Sequence, residues 1–298
     1  MKRNELKILF LGTPEFAVAS LRRLVEGGYN VVGVVTAPDR PAGRGQKLHE
    51  SDVKKYAVEA GLRVLQPEKL RDPEFLEQLA ALEPDLGIVI AFRMLPEVVW
   101  SLPRLGTFNL HASLLPQYRG AAPINRAIMN GETTTGLTTF MLNAEIDKGD
   151  IIGRVEMEIA PTDNAGTLHD RLMEAGAELV TETVDRIAAG GITPLSQMDI
   201  PEEGLRPAPK IFREDCRIDP SRTGREIVNL IRGLSPYPAA WCEWEGTTMK
   251  VFEASFAAEP RPGAVNLPCA DGTVAITDLQ PAGKRRMSAK EYTNGLRK

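Results

Sequence analysis

Short, nearly unbroken apolar runs alternate with amphipathic segments along the first part of the chain. The runs are KILFLG (7–12), NVVGVVTA (30–37), DLGIVIAF (85–92) and GTFNLH (106–111). The segments between them carry apolar residues at helical spacing, and the first of these segments ends at Gly27-Gly28. Strands without a polar face are buried on both sides. The pattern therefore predicts an α/β domain with a Rossmann-like, mostly parallel sheet covered by helices.

A different pattern begins near residue 136. GLTTFML (136–142) and IIGRVEMEI (151–159) predict two strands joined by the loop NAEIDKGD. In the second strand Val155, Met157 and Ile159 alternate with charged residues, which is typical of an antiparallel or edge strand. A long amphipathic helix is predicted from about residue 164 to residue 189, where two glycines end it.

The composition changes after residue 190. ITPLSQMDIPEEGLRPAPK (192–210) contains four prolines, which predicts an extended linker. One helix and several short β-like runs with glycine and proline turns follow, and this favours a small C-terminal β-barrel of the OB-like type. We therefore expect an N-terminal domain at 1–190, a linker at 191–206 and a C-terminal domain at 207–298.

The composition narrows the class of protein. The 298 residues are 43% hydrophobic and 26% charged, as in ordinary globular proteins. No apolar run is long enough to span a membrane, and the first residues do not resemble a signal peptide, so we expect a cytoplasmic protein. The three cysteines form no CxxC pair, which argues against a zinc site. A net charge of −4 excludes a uniformly basic coat but allows local basic patches.

Two polar residues, Asn109 and His111, close the fourth apolar run. Two positions apart, they share one strand face, and open parallel sheets bind ligands at the carboxyl ends of their strands. An asparagine amide can stabilise a developing oxyanion, and a histidine can do so or move a proton. Asp147 and Asp150, in the loop EIDKGD, are candidate carboxylates to orient the histidine. Each feature alone could be a strand cap or a solvated turn; their joint occurrence predicts an active site.

Several motifs occur in an order that is characteristic of one enzyme family. They are FLGTPEFAV (10–18), TAPDRPAGRGQKL (36–48), NLHASLLPQYRGAAPINRAI (109–128), GET and TG (131–136), IDKGD (146–150) and LQPAGKRRMSA (279–289). The chain resembles the folate-dependent formyltransferase family, whose core signature combines Asn-x-His, Ser-Leu-Leu-Pro and a later Asp-x-Gly. The PDRPAGRG and QPAGKRRM segments point to its tRNA-formylating branch.

The resemblance implies roles for particular residues. Asn109 and His111 would stabilise the oxyanion, while Asp147 would pair with His111 and help to relay the amine proton. The folate site would be formed by Ser113, Leu114, Leu115, Pro116, Phe92, Arg93, Met94 and Leu95. No metal would be required.

The resemblance also implies the substrates. The formyl donor would be 10-formyltetrahydrofolate, and the acceptor would be methionine esterified to initiator tRNA. The first domain would be catalytic, and the second would bind tRNA. The tRNA-binding residues would be basic ones in the 38–47 loop and near the C-terminus, namely Arg40, Arg44, Lys47, Lys284, Arg285 and Arg286. We expect a monomer with no membrane partner.

Other functions remain open at the level of sequence. A glycinamide ribonucleotide formyltransferase, a sugar-amine formyltransferase and a formyl-folate hydrolase would share the Asn-His-Asp group. A non-enzymatic RNA-binding module could reuse the fold, since a fold does not fix a function. A Rossmann dehydrogenase is disfavoured because GTPEF lacks the GxGxxG spacing.

Overall fold

The computed structural model describes residues 4–42 and 47–296. The chain forms two compact units. The first comprises Met1–Arg119, Gly136–Met157 and Asp170–Leu205, and the second comprises Gly120–Thr135, Glu158–His169 and Arg206–Lys298. The expected sequence domains, with boundaries at residues 190 and 207, stay a prediction.

The first unit is built on a seven-stranded sheet. Its strands and an additional short hairpin are β1 (Ile8–Gly12), β2 (Val31–Val35), β3 (Arg40–Ala42), β4 (Lys47–His49), β5 (Val64–Leu65), β6 (Leu86–Ile90), β7 (Thr107–His111), β8 (Thr134–Met141) and β9 (Ile151–Glu158). The sheet order is β5-β2-β1-β6-β7-β8-β9, and β3 pairs only with β4. All pairs from β5 to β7 are parallel, whereas β8 runs antiparallel to β7.

The apolar runs explain the central strands. Every residue of β1 and of β6 is buried, as expected for strands covered on both faces. Leu9, Leu11 and Val89 from these strands pack with Leu79 and Phe75. The prediction of a mostly parallel, Rossmann-like sheet is confirmed. Its order places β1 and β6 side by side where the chain reverses direction across the sheet, the usual position of a ligand site.

Eight helices occur in the described residues, and local sequence signals fix several of their ends. They are α1 (Glu15–Glu26), α2 (Asp52–Glu59), α3 (Pro73–Ala80), α4 (Glu97–Trp100), α5 (Pro123–Met129), α6 (Ala165–Ala189), α7 (Gly224–Leu234) and α8 (Ala289–Leu296). Ser51 caps α2, Asp72 caps α3, and Thr223 forms a capping box with Glu226 at the start of α7. None of the helices in the described residues is both long and apolar enough to cross a membrane.

The second unit contains a small antiparallel sheet. Its strands are β10 (Ala240–Trp244), β11 (Thr247–Ala257), β12 (Val265–Cys269), β13 (Gly272–Pro281) and β14 (Met287–Ser288). The order is β10-β11-β13-β12, with β14 paired to β13. Ile227 and Ile231 of α7 and Tyr292 of α8 join the buried core of this sheet. The expected combination of a mostly parallel sheet and a small antiparallel β domain is confirmed.

The segment predicted to be an extended linker is not extended throughout. The Ile151 N–H donates to Leu195 O at 2.8 Å, and the Leu195 N–H donates back to Ile151 O at 2.9 Å. A 3₁₀ turn at Gln197–Asp199 follows, capped by Ser196. The prolines indicated that regular elements are interrupted here. They could not show that the residues between them pack against the start of β9, because that partner is remote in sequence.

Candidate active site

His111 lies at the carboxyl end of β7, as predicted, and is 7% exposed. Its Nε2 lies 2.9 Å from the main-chain oxygen of Tyr118. Because a carbonyl oxygen only accepts hydrogen bonds, Nε2 must carry a proton. The other ring nitrogen, Nδ1, lies 4.0 Å from Oδ2 of Asp147. Nδ1 is therefore the nitrogen through which His111 can accept or donate a proton in catalysis.

The loop between β8 and β9 brings Asp147 to His111. Asp147 adopts a positive φ of 55°, which few non-glycine residues do. A Cβ atom on Gly149 would lie 1.6 Å from the main-chain oxygen of Met141, so only glycine fits the close approach that folds this loop. The separation of 4.0 Å between the acid and the imidazole is within reach of an ion pair but beyond a direct hydrogen bond.

Two other charged residues of the loop, Lys148 and Glu145, are paired with each other. Lys148 forms an ion pair with Glu145 at 2.8 Å, and this hydrogen bond holds the pKa of the Glu145 carboxyl below its ordinary value. Lys148 is therefore engaged away from its neighbour Asp147. The imidazole of His111 faces Oδ2 of Asp147.

Asn109 lies two residues before His111 on β7 and shares its strand face. The side-chain oxygen of Asn109 is buried and has no hydrogen-bond partner among the described residues. Leaving a buried acceptor unpaired costs on the order of 1–3 kcal/mol. A bound ligand with an N–H group would remove this cost, and the same amide offers N–H donors to a carbonyl oxygen.

The Ser-Leu-Leu-Pro corner that follows β7 is held by buried hydrogen bonds. The Ser113 hydroxyl donates to Gln117 O at 2.6 Å, and the Thr138 hydroxyl donates to Ser113 O at 2.7 Å while accepting from the Leu115 N–H at 3.1 Å. The Arg154 guanidinium donates to Leu115 O, and burial lowers the pKa of this arginine. These hydrogen bonds fix the main-chain conformation of the Ser-Leu-Leu-Pro corner that follows His111.

Burial distinguishes the four corner residues predicted to contact folate. Ser113, Leu115 and Pro116 are buried, whereas Leu114 is partly exposed. Leu114 is therefore the member of this group whose side chain is most accessible to a ligand. The folate assignment of the corner stays a prediction.

The second predicted folate segment directly follows β6, the strand next to β7. Phe92 and Leu95 pack partly against the core, while Met94 is 75% exposed. The Arg93 guanidinium donates to Glu68 O at 3.0 Å and to Pro67 O. These bonds hold the Arg93 guanidinium against the main chain at Pro67 and Glu68, so it does not extend into solvent. They also fix the backbone that follows the end of β6.

Arg40 is the one residue predicted to contact tRNA in the first unit whose side chain is among the described residues. Arg40 is exposed on β3, opposite His49 of β4. Arg44 and the side chain of Lys47 lie outside the described residues. The hairpin was not predicted, since its strands are too short to show alternation.

The predicted C-terminal tRNA contacts lie at the turn between β13 and β14. All three are exposed, but two are paired with acids. Arg285 pairs with Glu291, and Arg286 binds the Asp278 carboxylate through Nη2 at 2.6 Å and Nε at 3.0 Å. The hydrogen bond to Asp278 raises the pKa of Arg286. Lys284 is the one of these three residues that has no acidic partner among the residues that the structure describes.

Sequence reasoning missed three polar side chains that hold the site together. Thr138 lies on β8, Gln197 lies in the proline-rich segment, and Arg119 lies in the motif after the corner. Gln197 donates from Nε2 to Asp147 O at 3.0 Å and to Gly149 O at 2.7 Å. Thr138 and Gln197 act on main-chain groups, which no side-chain motif reveals, and Arg119 acts on the side chain of Gln197, to whose Oε1 it donates at 2.9 Å.

The geometry defines a class of protein. A parallel sheet without a glycine-rich dinucleotide loop carries an amide, an imidazole and a carboxylate at its carboxyl edge, which suits transfer of a carbonyl-bearing group. The chain belongs to the formyl transferase family: the family's "Formyl transferase" sequence model matches residues 6–184, and its "Formyl transferase, C-terminal domain" model matches residues 210–297.

Relatives of this chain match over almost its whole length. The methionyl-tRNA formyltransferase of Bacteroides thetaiotaomicron is 52% identical over 314 residues, which cover 100% of this chain and 98% of the relative. The methionyl-tRNA formyltransferase of Flavobacterium johnsoniae is 48% identical, with coverages of 98% and 97%.

Solved structures share the fold at lower identity. The N-formyltransferase of Helicobacter canadensis, in complex with folinic acid and dTDP-3-aminofucose, gives a TM-score of 0.70 at 20% identity and covers 95% of this chain and 100% of its own. HypX from Aquifex aeolicus, in complex with tetrahydrofolic acid, gives a TM-score of 0.66 at 20% identity, with coverages of 98% and 48%.

Proposed function

We propose that this protein transfers the formyl group of 10-formyltetrahydrofolate to the amino group of methionine on initiator tRNA. The observation that carries the proposal is the arrangement around His111. Its Nε2 is fixed by Tyr118 O, its Nδ1 faces Asp147 at 4.0 Å, and the unpaired buried oxygen of Asn109 lies on the same strand face. Full-length relatives named methionyl-tRNA formyltransferase support the choice of acceptor.

The residues divide the reaction between them. The methionyl nitrogen bonds to the formyl carbon, and the formyl oxygen gains negative charge. The Asn109 amide N–H donates to that oxygen, and its Oδ1 accepts an N–H of the attacking amine. His111 takes the amine proton at Nδ1, and the imidazolium so formed faces the Asp147 carboxylate. When the bond from carbon to N10 of the folate breaks, the proton passes from Nδ1 to N10. All atoms and charges are then accounted for.

The tRNA must bind to the protein surface as well as to the catalytic residues. Exposed Arg40 in the first unit and exposed Lys284 in the second are suited to phosphate contacts, which make binding depend on salt. We assign the catalytic role to residues 1–190 and tRNA binding to residues 207–298.

Within the second unit, Asn125 Nδ2 donates to Gly233 O at 2.8 Å, so residues 120–135 and α7 support each other. Point substitutions therefore test tRNA binding better than truncation does.

An acceptor panel tests the proposal. Purified protein with 10-formyltetrahydrofolate should formylate methionyl initiator tRNA and should leave glycinamide ribonucleotide and a dTDP-amino sugar unmodified. Hydrolysis of the donor without an acceptor should be slow. Formylation of the sugar nucleotide in place of the charged tRNA would refute the proposed acceptor and favour a sugar N-formyltransferase.

The proposed function also leads to an expected oligomeric state and cellular compartment. We expect a monomer in the cytoplasm, where charged initiator tRNA and reduced folate occur together. Light scattering after size-exclusion chromatography should give a mass near 32.6 kDa. A mass twice that value would refute the monomer.

A further inference from the structure

A hydrogen-bonded bridge joins the side chains of Arg119 and Gln197. The Arg119 guanidinium donates to Oε1 of Gln197 from Nη2 at 2.9 Å and from Nε at 3.2 Å. Gln197 is 2% exposed, and the Arg119 side chain is 18% exposed. The Oε1 atom of Gln197 accepts from Arg119, and its Nε2 atom donates to main-chain oxygens. The orientation of this buried amide is fixed, because turning it over would break the bonds at both atoms.

The two ends of this bridge reach the two catalytic side chains through the main chain. Arg119 directly follows Tyr118, whose carbonyl oxygen accepts the Nε2 proton of His111. Gln197 donates to the carbonyl oxygens of Asp147 and Gly149. The bridge therefore ties the peptide that orients the imidazole to the loop that carries the acid.

The bridge is itself anchored. The mutual main-chain bonds of Leu195 and Ile151 hold the segment before Gln197 against the start of β9. Nη1 of Arg119 lies 3.4 Å from Oε1 of Glu202, which steadies the outer side of the guanidinium. The bridge stabilises the loop at Asp147. This support is needed because Asp147 has a positive φ, a conformation that a non-glycine residue keeps only when its surroundings hold it.

We propose that Gln197, held by Arg119, is a positioning residue that sets the distance between Asp147 and His111. This inference rests on the proposed function, because it concerns the catalytic use of that pair. Gln197 touches no reacting atom; it acts through the Asp147 loop. Misplacing a catalytic group by about 1 Å can lower the rate on the order of 10²-fold. Loss of the Arg119–Gln197 bridge should therefore lower turnover more than it lowers substrate binding.

A double-mutant cycle in kcat tests the proposal with the full-length protein. Gln197→Ala should lower kcat about 10- to 100-fold and change KM for either substrate by less than about threefold. In the Asp147→Asn background the same substitution should lower kcat by less than about twofold, because the group that it positions is already disabled. Equal fractional losses in both backgrounds would overturn the proposal.

A second variant separates positioning from folding. Gln197→Glu keeps the size of the side chain and an acceptor for Arg119, but it replaces the N–H donors with an oxygen that faces two carbonyls. It should lower kcat as Gln197→Ala does. Because two buried carbonyl groups lose their donor, its unfolding temperature should also fall, so kcat is compared at a temperature at which its circular dichroism spectrum matches that of the wild type. Wild-type kcat in Gln197→Glu would overturn the proposal even if Gln197→Ala failed to fold.

The chain offers a matched control of the same chemistry. Asn266 Nδ2 donates to Arg261 O at 2.9 Å and to Ala264 O at 3.2 Å in a loop of the second unit. Asn266 is not among the basic residues proposed to contact tRNA, and Asn266→Ala should leave kcat, measured with saturating tRNA, within about twofold in both backgrounds. If Asp147→Asn alone retained wild-type kcat, the catalytic role proposed for Asp147 would fail; if Asp147→Asn were impaired and the Gln197→Ala loss were the same in both backgrounds, only this inference would fail.

Discussion

Replacing Thr138 by valine removes one hydroxyl group from the buried corner beside His111. Thr138 is fully buried, and its hydroxyl serves two main-chain groups, Ser113 O at 2.7 Å and the Leu115 N–H at 3.1 Å. Valine has nearly the same shape but offers neither a donor nor an acceptor. The substitution therefore leaves one buried carbonyl and one buried N–H without their partner.

The expected cost follows from these two groups. Each buried polar group left unpaired costs about 1–3 kcal/mol, so the free energy of unfolding should fall by roughly 2–6 kcal/mol. Thr139→Val is the matched control. Thr139 is also fully buried, but its hydroxyl meets only the Thr183 hydroxyl at 2.9 Å, and Thr183 already donates to Leu179 O at 2.7 Å. The control should cost about 1 kcal/mol.

Urea unfolding of the first unit gives the measurement. Trp100 is the only tryptophan in the residues of that unit, so the ¹⁹F resonance of 5-fluorotryptophan at this position reports on the unit separately. Thr138→Ser retains the hydroxyl and should lie between wild type and valine. A Thr138→Val protein within about 0.5 kcal/mol of wild type, or no less stable than Thr139→Val, would refute the reasoning about the corner.

Three further predictions concern the loop, the thiols and the tRNA surface. Gly149→Ala should lower formyl transfer at least about tenfold because the added Cβ would lie 1.6 Å from a main-chain oxygen, whereas Gly191→Ala, with open space around it, should have wild-type activity. Burial raises the pKa of Cys242 to about 11, so roughly one thiol in a thousand is ionised at pH 8, and iodoacetamide followed by mass spectrometry should label the half-buried Cys269 first; equal labelling would contradict this. Lys284→Ala should reduce the salt-dependence slope of tRNA binding by about 0.9, and an unchanged slope in filter-binding assays would remove this residue from the tRNA surface.

The sequence predicted the parts of the fold that depend on periodicity. The strands β1 and β6 are continuous apolar runs, and both are fully buried in the sheet. β12 is as long as β1 but was not predicted, because Asn266 and Pro268 interrupt its apolar residues. α8 was not predicted because it lies in the basic run at residues 284–298, although its Tyr292 is 9% exposed and packs in the core.

The candidate site was predictable to a similar degree. The positions of Asn109 and His111 follow from the rule that ligands bind at the carboxyl ends of parallel strands, and the choice of Asp147 over Asp150 came from the family resemblance. The orientation of His111 was not predictable, because it depends on the carbonyl of Tyr118, a group that every residue carries. Gln197 was missed for the same reason: its partners are main-chain oxygens distant in sequence.

The central claim is that Asn109, His111 and Asp147 together transfer a formyl group to methionyl initiator tRNA. The most direct test is the single-turnover rate constant of that transfer, measured with saturating protein for the wild type and for the alanine variant of each residue. We predict rapid transfer by the wild type. The rate constant should fall on the order of 10²–10³ for Asn109→Ala, which loses an oxyanion donor, and on the order of 10²–10⁴ for His111→Ala, which loses the proton-transferring group, with Asp147→Ala also strongly impaired. Rate constants within about threefold of the wild type in all three variants would contradict the account.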